Sequence, residues 1–283
     1  MKKVSIGYIF NEICPKTEDK LFIELAKKKG INLILINTNK YLTEEDMEED
    51  VKKCDLFFNN STEDISMEFV KTLEELGDRV IEPSNKFYYF EDKWMFFLKC
   101  FKHKIPTLNT ILLSENIPVA KKELISFGHW PVILKRIQGN NGEYVAMAKN
   151  TTEAEKIMKK FWKKGSERLS IIAQEFANSL SYRVTIVGGK IVQTAIRPGK
   201  GWKKTGNHSN HIGKFKIDKE LEKIIKKTIK VFGISVCGID FLKKDGKWLV
   251  LEINAQPGLD FFIHDRKRLV GEILDFLKKE ARN

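Results

Sequence analysis

A hairpin pattern near the C-terminal end gives the clearest structural signal in the chain. Over residues 233–258, apolar and polar positions alternate with a two-residue period on either side of the turn signal Asp245-Gly246. The apolar side chains share one face of each strand: Cys237, Ile239 and Phe241 on the first, and Leu249, Leu251 and Ile253 on the second. A two-residue loop would pair these faces out of phase. The pattern therefore predicts a three-residue loop with Gly246 in the left-handed conformation.

That alignment puts Asp240, Glu252 and Asn254 together on the opposite face of the hairpin. Two carboxylates and an amide oxygen on one sheet face are costly unless a cation neutralises them. Oxygen ligands of this kind suit Mg²⁺, which keeps some waters and takes further ligands from phosphates. The alternative is a solvated polar face on a surface hairpin, and the hairpin alone does not decide between the two.

The first 83 residues alternate short apolar runs with amphipathic segments. Strands are expected over residues 4–10, 31–37, 56–59 and 79–82, and helices over 17–29 and 61–76. This alternation predicts a small open parallel sheet, and such sheets often hold ligands at their carboxyl edge. No Gly-x-Gly-x-x-Gly follows the first strand, so the pattern does not support dinucleotide binding.

The rest of the chain mixes helices with hairpins. Helices are expected over residues 84–104, 152–164, 218–232 and from about 268 to 282, and strands over 131–136, 144–148, 171–176, 182–187 and 190–196. Gly188-Gly189 suits a tight turn between the last two of these strands. A polar loop follows over 198–215, and loops of this length tend to be functional or disordered.

Two features are candidate sites for phosphate or carboxylate. Lys135 lies just before a loop rich in glycine and asparagine, residues 138–143, whose backbone N–H groups can cradle phosphate oxygens. The loop is not a Walker sequence, because no Gly-Lys-Ser/Thr follows. Arg183 and Arg197 lie near the open end of a predicted hairpin, where a guanidinium can hold an anion in a bidentate fork. The ordinary alternatives are a plain hairpin loop and surface ion pairs.

The composition is that of a globular protein with a basic surplus. The 283 residues are 42% hydrophobic and 31% charged, with a net charge of +12, which favours acidic partners such as nucleotides, polycarboxylates or acidic proteins. The lysines are dispersed without a nucleic-acid-binding signature, so no nucleic acid partner is expected. No apolar run is long enough to cross a bilayer, so no membrane partner is expected either. The 4 dispersed cysteines suit free thiols in a reducing cytoplasm.

Taken in chain order, these features resemble the ATP-grasp ligases. They are Lys93 within the helix 84–104, Lys135 before the Gly-rich loop, Gln174-Glu175-Phe176, Arg183, Arg197, and Asp240 followed by Glu252-x-Asn254. The chain is most similar to the RimK-like amino-acid ligases, which join a carboxylate to an amine. Its most specific segments are Gly238-Ile-Asp240 and residues 251–258.

The resemblance implies an α/β (α+β) fold with three parts. These are an N-terminal Rossmann-like parallel-sheet domain over residues 1–83, a small central or lid domain over 84–175, and a C-terminal antiparallel-sheet domain over 176–283.

The resemblance also assigns roles to individual residues. ATP would be bound by the phosphate-holding Lys93 and Lys135, by the covering loop residues Gln138, Gly139, Asn140, Asn141 and Gly142, and by the adenine-contacting strand Gln174, Glu175 and Phe176. One or two Mg²⁺ ions, or Mn²⁺ in their place, would be bound by Asp240, Glu252 and Asn254. Arg183 and Arg197 would hold the transferred phosphate and the substrate carboxylate. The asparagine of the family's substrate loop falls on either Asn207 or Asn210, and Ser181 stands where many relatives have an acid.

The activity implied by the resemblance is that of a cytoplasmic ligase forming an amide or peptide bond through an acyl phosphate. The expected substrates are a glutamate-like amino acid and an acidic acceptor, either a small molecule or a carrier protein or peptide. Related enzymes are often homodimers or homotetramers. Two alternatives stay open: a non-catalytic ATP- or polyanion-binding protein of the same fold, and a natural-product peptide ligase with other substrates.

Overall fold

Three four-stranded sheets organise the chain. The computed structural model describes residues 3–12, 15–40, 44–61, 63–139, 142–163, 169–197, 202, 213–255, 257–259 and 261–283. Within these residues the strands are β1 (Ser5–Phe10), β2 (Asn32–Asn37), β3 (Leu56–Asn59), β4 (Val80–Ile81), β5 (Thr110–Leu112), β6 (Val132–Arg136), β7 (Val145–Ala148), β8 (Ile171–Glu175), β9 (Ser181–Val187), β10 (Lys190–Arg197), β11 (Val236–Lys244) and β12 (Lys247–Asn254). The helices are α1 (Thr17–Lys28), α2 (Glu44–Val51), α3 (Asp64–Glu75), α4 (Ser84–Glu91), α5 (Lys93–Lys102), α6 (Ile117–Phe127), α7 (Thr151–Lys163), α8 (Lys219–Phe232) and α9 (Ile263–Glu280).

The N-terminal sheet is parallel, with strand order β2-β1-β3-β4. Helices cover it because its strands are apolar on both faces, as is usual for parallel sheets. The last helix, α9, returns to this sheet and buries Val270, Ile273 and Leu277 in one cluster with Tyr8 and Phe22. The two ends of the chain therefore share a hydrophobic core.

The other two sheets are antiparallel, with orders β5-β8-β6-β7 and β10-β9-β11-β12. We refer to them as the central sheet and the C-terminal sheet. Helices α6 and α7 pack on the central sheet, burying Leu124 and Met158. Helices α5 and α8 pack on the C-terminal sheet, where Phe96 and Phe232 stack with ring centroids 5.3 Å apart. Helix α5 belongs to the predicted central domain, residues 84–175, but packs with the C-terminal sheet. The domain boundaries stay predictions.

Short polar links hold the C-terminal sheet to the other two. Val250 N donates to the Pro106 carbonyl at 2.8 Å, and the Lys244 ammonium ion-pairs with Glu175 of β8 at 2.6 Å. On the other side, the buried Glu82 carboxylate accepts hydrogen bonds from Ser235 N and Val236 N, both at 2.6 Å. These contacts connect the C-terminal sheet with the central sheet and with the segment after β4.

Several predicted elements differ from the structure. The single helix expected over 84–104 is two helices, because the Asp92 side chain caps α5 by accepting from Trp94 N and Met95 N, both at 2.9 Å. Three elements were not predicted: α2, β5 and α6. The last helix begins at Ile263, ahead of the expected start. In the part of the chain that the structure describes, no helix is both long and apolar enough to span a membrane.

Candidate active site

The hairpin of β11 and β12 has a two-residue loop, so the predicted three-residue loop is wrong. Lys244 pairs with Lys247 across Asp245 and Gly246, whose φ angles of 50° and 76° suit the tightest type of hairpin turn. The phase is corrected further along the ladder instead. Phe241 pairs with Val250 but Asp240 pairs with Glu252, so Leu251 is the extra residue of a β-bulge.

The bulge changes which side chains are buried. Trp248 and Val250 face the core together with Ile253, whereas Leu249 and Leu251 do not, contrary to the expected alternation. Beyond the bulge, Asp240 lies opposite Glu252 and Gly238 lies opposite Asn254. The three predicted metal-binding residues therefore share one face at the end of the hairpin.

Asp240 is fully buried and is held by Arg183 of the neighbouring strand β9. The guanidinium makes a two-pronged ion pair: Nε contacts Oδ1, and Nη2 donates to Oδ2 at 2.8 Å. Asn254 Nδ2 lies 3.5 Å from the same Oδ2. A Cβ at Gly238 would overlap the Arg183 side chain, so the glycine makes room for this crossing. Arg183 was expected at the substrate, but its first partner here is Asp240.

Two lysines line a narrow cleft together with Glu252. Lys93, the first residue of α5, donates from Nζ to the Gly139 carbonyl at 2.9 Å. Lys135 on β6 donates from Nζ to Gln174 Oε1 at 2.8 Å. Both acceptors are neutral, and neither lysine has an ion-pair partner among the described residues. The pair is therefore available for an anion.

The electrostatics of the cleft agree with that geometry. Burial lowers the pKa of Lys135 to about 8, against an opposing attraction from Glu252. Burial also lowers the pKa of Lys93, for the same reason. The pKa of Glu252 is raised, first by burial and then by the Asp240 carboxylate, while the lysines oppose the rise. Each of these charged groups is poorly solvated. A ligand that carries both phosphate and a cation would compensate for the lost solvation of the lysines and of the carboxylate.

The strand expected to meet adenine splits its side chains between two places. Gln174 lies in the cleft, where its Nε2 donates to Thr110 Oγ1 at 3.0 Å. The Glu175 carboxylate is engaged outside the cleft by Lys244 and by Asn109, whose backbone N lies 3.1 Å away. Only the backbone of Glu175 is therefore left for a nucleotide. Phe176 is half-buried just beyond β8.

The Gly-rich loop is described in part. Gln138 is exposed, and Gly139 and Gly142 have φ angles of 133° and 71°, of which the first is accessible only to glycine. This conformation presents the Gly139 carbonyl to Lys93. Four predicted residues lie outside the described ones: Asn140, Asn141, Asn207 and Asn210. Arg197 is the last residue of β10 and pairs with Ser181, but its side chain is not among those described.

The cleft includes residues that sequence reasoning missed. Its lining is Tyr89, Phe90, Lys93, Phe96, Lys135, Ile172, Gln174, Leu251 and Glu252. Tyr89 and Phe90 belong to an aromatic run that gives no clear helical period, and Leu251 enters only because of the bulge. The cleft encloses about 20 Å³, enough for one water. A larger open groove of about 1010 Å³, between α5, β5 and α6, contains none of the predicted site residues.

The donor set fits a magnesium ion. Among the described residues, no three histidine, cysteine, aspartate or glutamate side chains cluster as metal ligands. Mg²⁺ needs no such cluster, because it is usually held by one or two carboxylates and completed by waters and phosphates. Glu252 has no ion-pair partner among the described residues, and Asp240 lies opposite it on the same sheet face. The metal role of Asp240, Glu252 and Asn254 stays a prediction.

Two antiparallel sheets facing each other across a cleft, with cations on one side and carboxylates on the other, define the ATP-grasp class. A solved structure agrees: the RimK domain protein ATP-grasp from Sphaerobacter thermophilus covers 97% of this chain and 99% of its own, with a TM-score of 0.76 at 15% identity. The predicted fold class is confirmed.

A family model described as RimK-like ATP-grasp domain matches residues 90–276, and the chain belongs to that family. A Haemophilus influenzae protein named probable alpha-L-glutamate ligase is 25% identical over 230 residues, which cover 79% of this chain and 74% of that protein. A Psychromonas ingrahamii protein of the same name is 30% identical over 170 residues, covering 57% of this chain and 55% of that protein. The chain is a ligase enzyme, as the resemblance implied.

Proposed function

We propose that this ligase joins an amino acid to a carboxylate through an acyl phosphate at the expense of ATP, and that the amino acid is L-glutamate. One observation carries the proposal: two poorly solvated ammonium groups, Lys93 and Lys135, line a single cleft with the Glu252 carboxylate, and Asp240 lies opposite Glu252 on the neighbouring strand. Such an arrangement is unfavourable when empty and complementary to a triphosphate with its divalent cation.

In this scheme Lys93, at the start of α5, and Lys135, on β6, bind the phosphates from two sides. Asp240, Glu252 and Asn254 hold Mg²⁺, or Mn²⁺ in its place, which neutralises charge on the triphosphate when bound. Arg183 is positioned by Asp240 and stabilises the oxygens of the substrate carboxylate. The loop Gln138–Gly142 covers the phosphates, and the backbone of Glu175 and Phe176 contacts adenine.

The chemistry is a pair of displacements. A carboxylate oxygen of the acceptor attacks the γ-phosphorus of ATP, the bond to the β-bridging oxygen breaks, and ADP leaves. The neutral amine of the amino acid then attacks the acyl carbon, loses a proton and displaces phosphate, leaving an amide. The protein supplies positioning and charge neutralisation rather than a nucleophile.

The size of the cleft requires movement on binding. Its 20 Å³ is far below the several hundred Å³ that a nucleotide occupies, so the two sheets or the loop after β6 must separate. Reclosure over ATP would keep water away from the acyl phosphate. The loop carrying Gly139 is suited to this role because the φ angles of Gly139 and Gly142 are in the region that favours glycine, and the Gly139 carbonyl contacts Lys93.

The acidic acceptor is proposed on grounds of charge. The chain carries a net charge of +12, which attracts an acidic small molecule, carrier protein or peptide. The name of the two relatives, probable alpha-L-glutamate ligase, supports glutamate as the amine. We also propose a cytoplasmic location, where ATP is available, and a homodimeric or homotetrameric assembly, which light scattering would check.

The test is an ADP-release assay with Mg²⁺, each amino acid in turn and a panel of acidic acceptors, with mass spectrometry on the products. Lys135→Ala and Glu252→Ala should each lower turnover by a factor on the order of 10² or more, since each removes a charge that acts on the transferring phosphate. Lys247→Ala and Glu220→Ala change exposed residues of the same two types and should have no effect. Near-normal turnover in both cleft variants would refute the site. ATP binding without ADP release under any of these conditions would favour the non-catalytic alternative, and ADP release that needs no amino acid would show ATP hydrolysis without ligation.

A further inference from the structure

Gln193 on β10 is a buried amide that the proposed chemistry leaves unused. It is 5% exposed, and among the described residues neither its Oε1 nor its Nε2 has a hydrogen-bond partner. A buried polar group without a partner is rare and costs about 1–3 kcal/mol. Two such atoms on one side chain call for an explanation.

A bulge directs Gln193 toward the site face of the C-terminal sheet. Ile191 pairs with Ile186, but the register then shifts and Gln193, rather than Val192, pairs with Thr185. Thr185 lies next to Arg183 on the same face of β9, because alternate residues of a strand point the same way. Bulges that re-aim one side chain are frequent beside active sites. The bulge places the glutamine one step along the strands from the Arg183 and Asp240 pair.

Gln193 also lies apart from the phosphate centre. Its row across the sheet runs Gln193, Thr185, Gly238, Asn254, with one residue on each of β10, β9, β11 and β12. Neighbouring strands are about 4.8 Å apart, so Gln193 lies about 10 Å from β11 and farther from β12. Gln193 is therefore too far away to contact the predicted metal ligands. A substrate held by Arg183 is long enough to reach Gln193.

Two neighbouring contacts define the immediate surroundings of the amide. Thr185 Oγ1 donates to the Pro257 carbonyl at 2.8 Å, so the segment after β12 lies over this row. Arg268 Nη2 donates to the Val192 carbonyl at 3.1 Å, so the start of α9 lies beside the bulge. Neither contact involves the Gln193 side chain, because one uses the Thr185 hydroxyl and the other uses the Val192 carbonyl. Among the described residues, no group bonds the amide of Gln193, so this amide is available for a ligand.

We propose that Gln193 is a specificity-determining residue that binds the amine substrate, an amino acid. Nε2 donates to the carboxylate of that amino acid, and Oε1 accepts an N–H from its amine. An amide carries a donor and an acceptor side by side, which matches the acceptor and donor of an amino acid without adding charge near Arg183. The proposal rests on the ligase function above and specifies which residue selects its second substrate.

The test compares Gln193→Leu with wild type, using L-glutamate as the amine. Leucine removes the unpaired atoms while filling similar space, so the variant should melt at or above the wild-type temperature. Its KM for L-glutamate should rise at least tenfold, with the KM for ATP within twofold of wild type. Ile191→Ala, on the opposite face of the same strand and 37% exposed, is the control and should change neither constant.

Binding is measured separately, so that this inference and the ligase function fail in different ways. L-glutamate should raise the melting temperature of ATP-loaded wild type but not of Gln193→Leu, whether or not turnover is seen. If wild type shows that shift without ADP release, the ligase function fails and the binding role stands. An equal shift in both proteins, or an unchanged KM for glutamate, overturns the role of Gln193. Should the leucine variant not fold, Gln193→Glu serves, and a lower melting temperature with unaltered glutamate KM would show a purely structural glutamine.

Discussion

Replacing Lys135 by methionine should make the protein more stable and unable to bind ATP. Burial lowers the pKa of Lys135 from 10.5 to about 8, a difference of about 2.5 pH units. At about 1.4 kcal/mol per unit, keeping this lysine protonated in the folded protein costs about 3 kcal/mol. Methionine removes the charge and retains most of the chain length. Loss of the hydrogen bond to Gln174 offsets about 1 kcal/mol, which leaves a net gain of about 2 kcal/mol.

The stability difference between Lys135→Met and wild type should depend on pH. Below pH 8 the lysine is protonated in both the folded and the unfolded chain, so its cost is fully present. Between about pH 8 and 10.5 only the unfolded chain keeps the proton, and the wild type becomes more stable as pH rises. The advantage of Lys135→Met should therefore be largest at neutral pH and shrink as pH rises toward 10.5.

Denaturation midpoints measured from pH 7 to pH 10.5, together with ATP titrations at pH 7, check both parts. Lys190→Met is the matched control, because Lys190 is exposed at the start of β10 and should show neither effect. A methionine variant that is less stable than wild type at pH 7, or that binds ATP as tightly, would contradict the electrostatic reasoning. ATP binding to wild type should also weaken above pH 8, as the free lysine loses its proton.

Two further predictions concern buried carboxylates. Asp240→Asn removes the carboxylate that pairs with the buried Arg183 guanidinium. The free energy of unfolding, measured by urea denaturation, should therefore fall by about 3 kcal/mol or more. A loss below about 1 kcal/mol would mean that water replaces the carboxylate. Burial raises the pKa of Glu82 from 4.5 to about 7 despite its hydrogen bonds from Ser235 and Val236, so wild-type stability should fall as pH rises from 4.5 to 7. In Glu82→Gln that fall should disappear, and an identical pH profile for both proteins would rule out Glu82 as its source.

The sequence predicted best what depends on short-range alternation. The hairpin and the placing of Lys135 before a Gly-rich loop follow from patterns within about twenty residues. The shared face of Asp240 and Glu252 was also predicted, but it results from the bulge at Leu251 and not from the expected three-residue loop. The ATP-grasp family and the ligase class were likewise inferred correctly from the order of these motifs. The individual site roles and the domain boundaries stay predictions.

Errors arose where a contact between distant segments decides the outcome. The ion pair of Arg183 with Asp240 depends on the pairing of β9 with β11, 57 residues apart, which no local pattern reveals. The bulge that turns Gln193 toward the site face of the C-terminal sheet is equally invisible in the alternation of β10. Strand β5 was missed because it has three residues and gains its structure only by pairing with β8. The break at Asp92 had a local signal, an aspartate before a helix, hidden by the aromatic run around it.

Leu251 is the extra residue of the bulge in β12, and this gives the strand an unusual tolerance to deletion. Removing it would join Val250 directly to Glu252 and leave every cross-strand partner of the hairpin in place, whereas a deletion elsewhere in β12 would turn its side chains to the wrong faces. The shortened strand would lose the apolar Leu251 side chain that lines the cleft beside Glu252. The cleft would become more polar, and the attraction between Glu252 and the two lysines of the cleft would weaken. Leu251 thus changes the strength of the electrostatic interactions in the cleft without changing the strand pairing of the sheet.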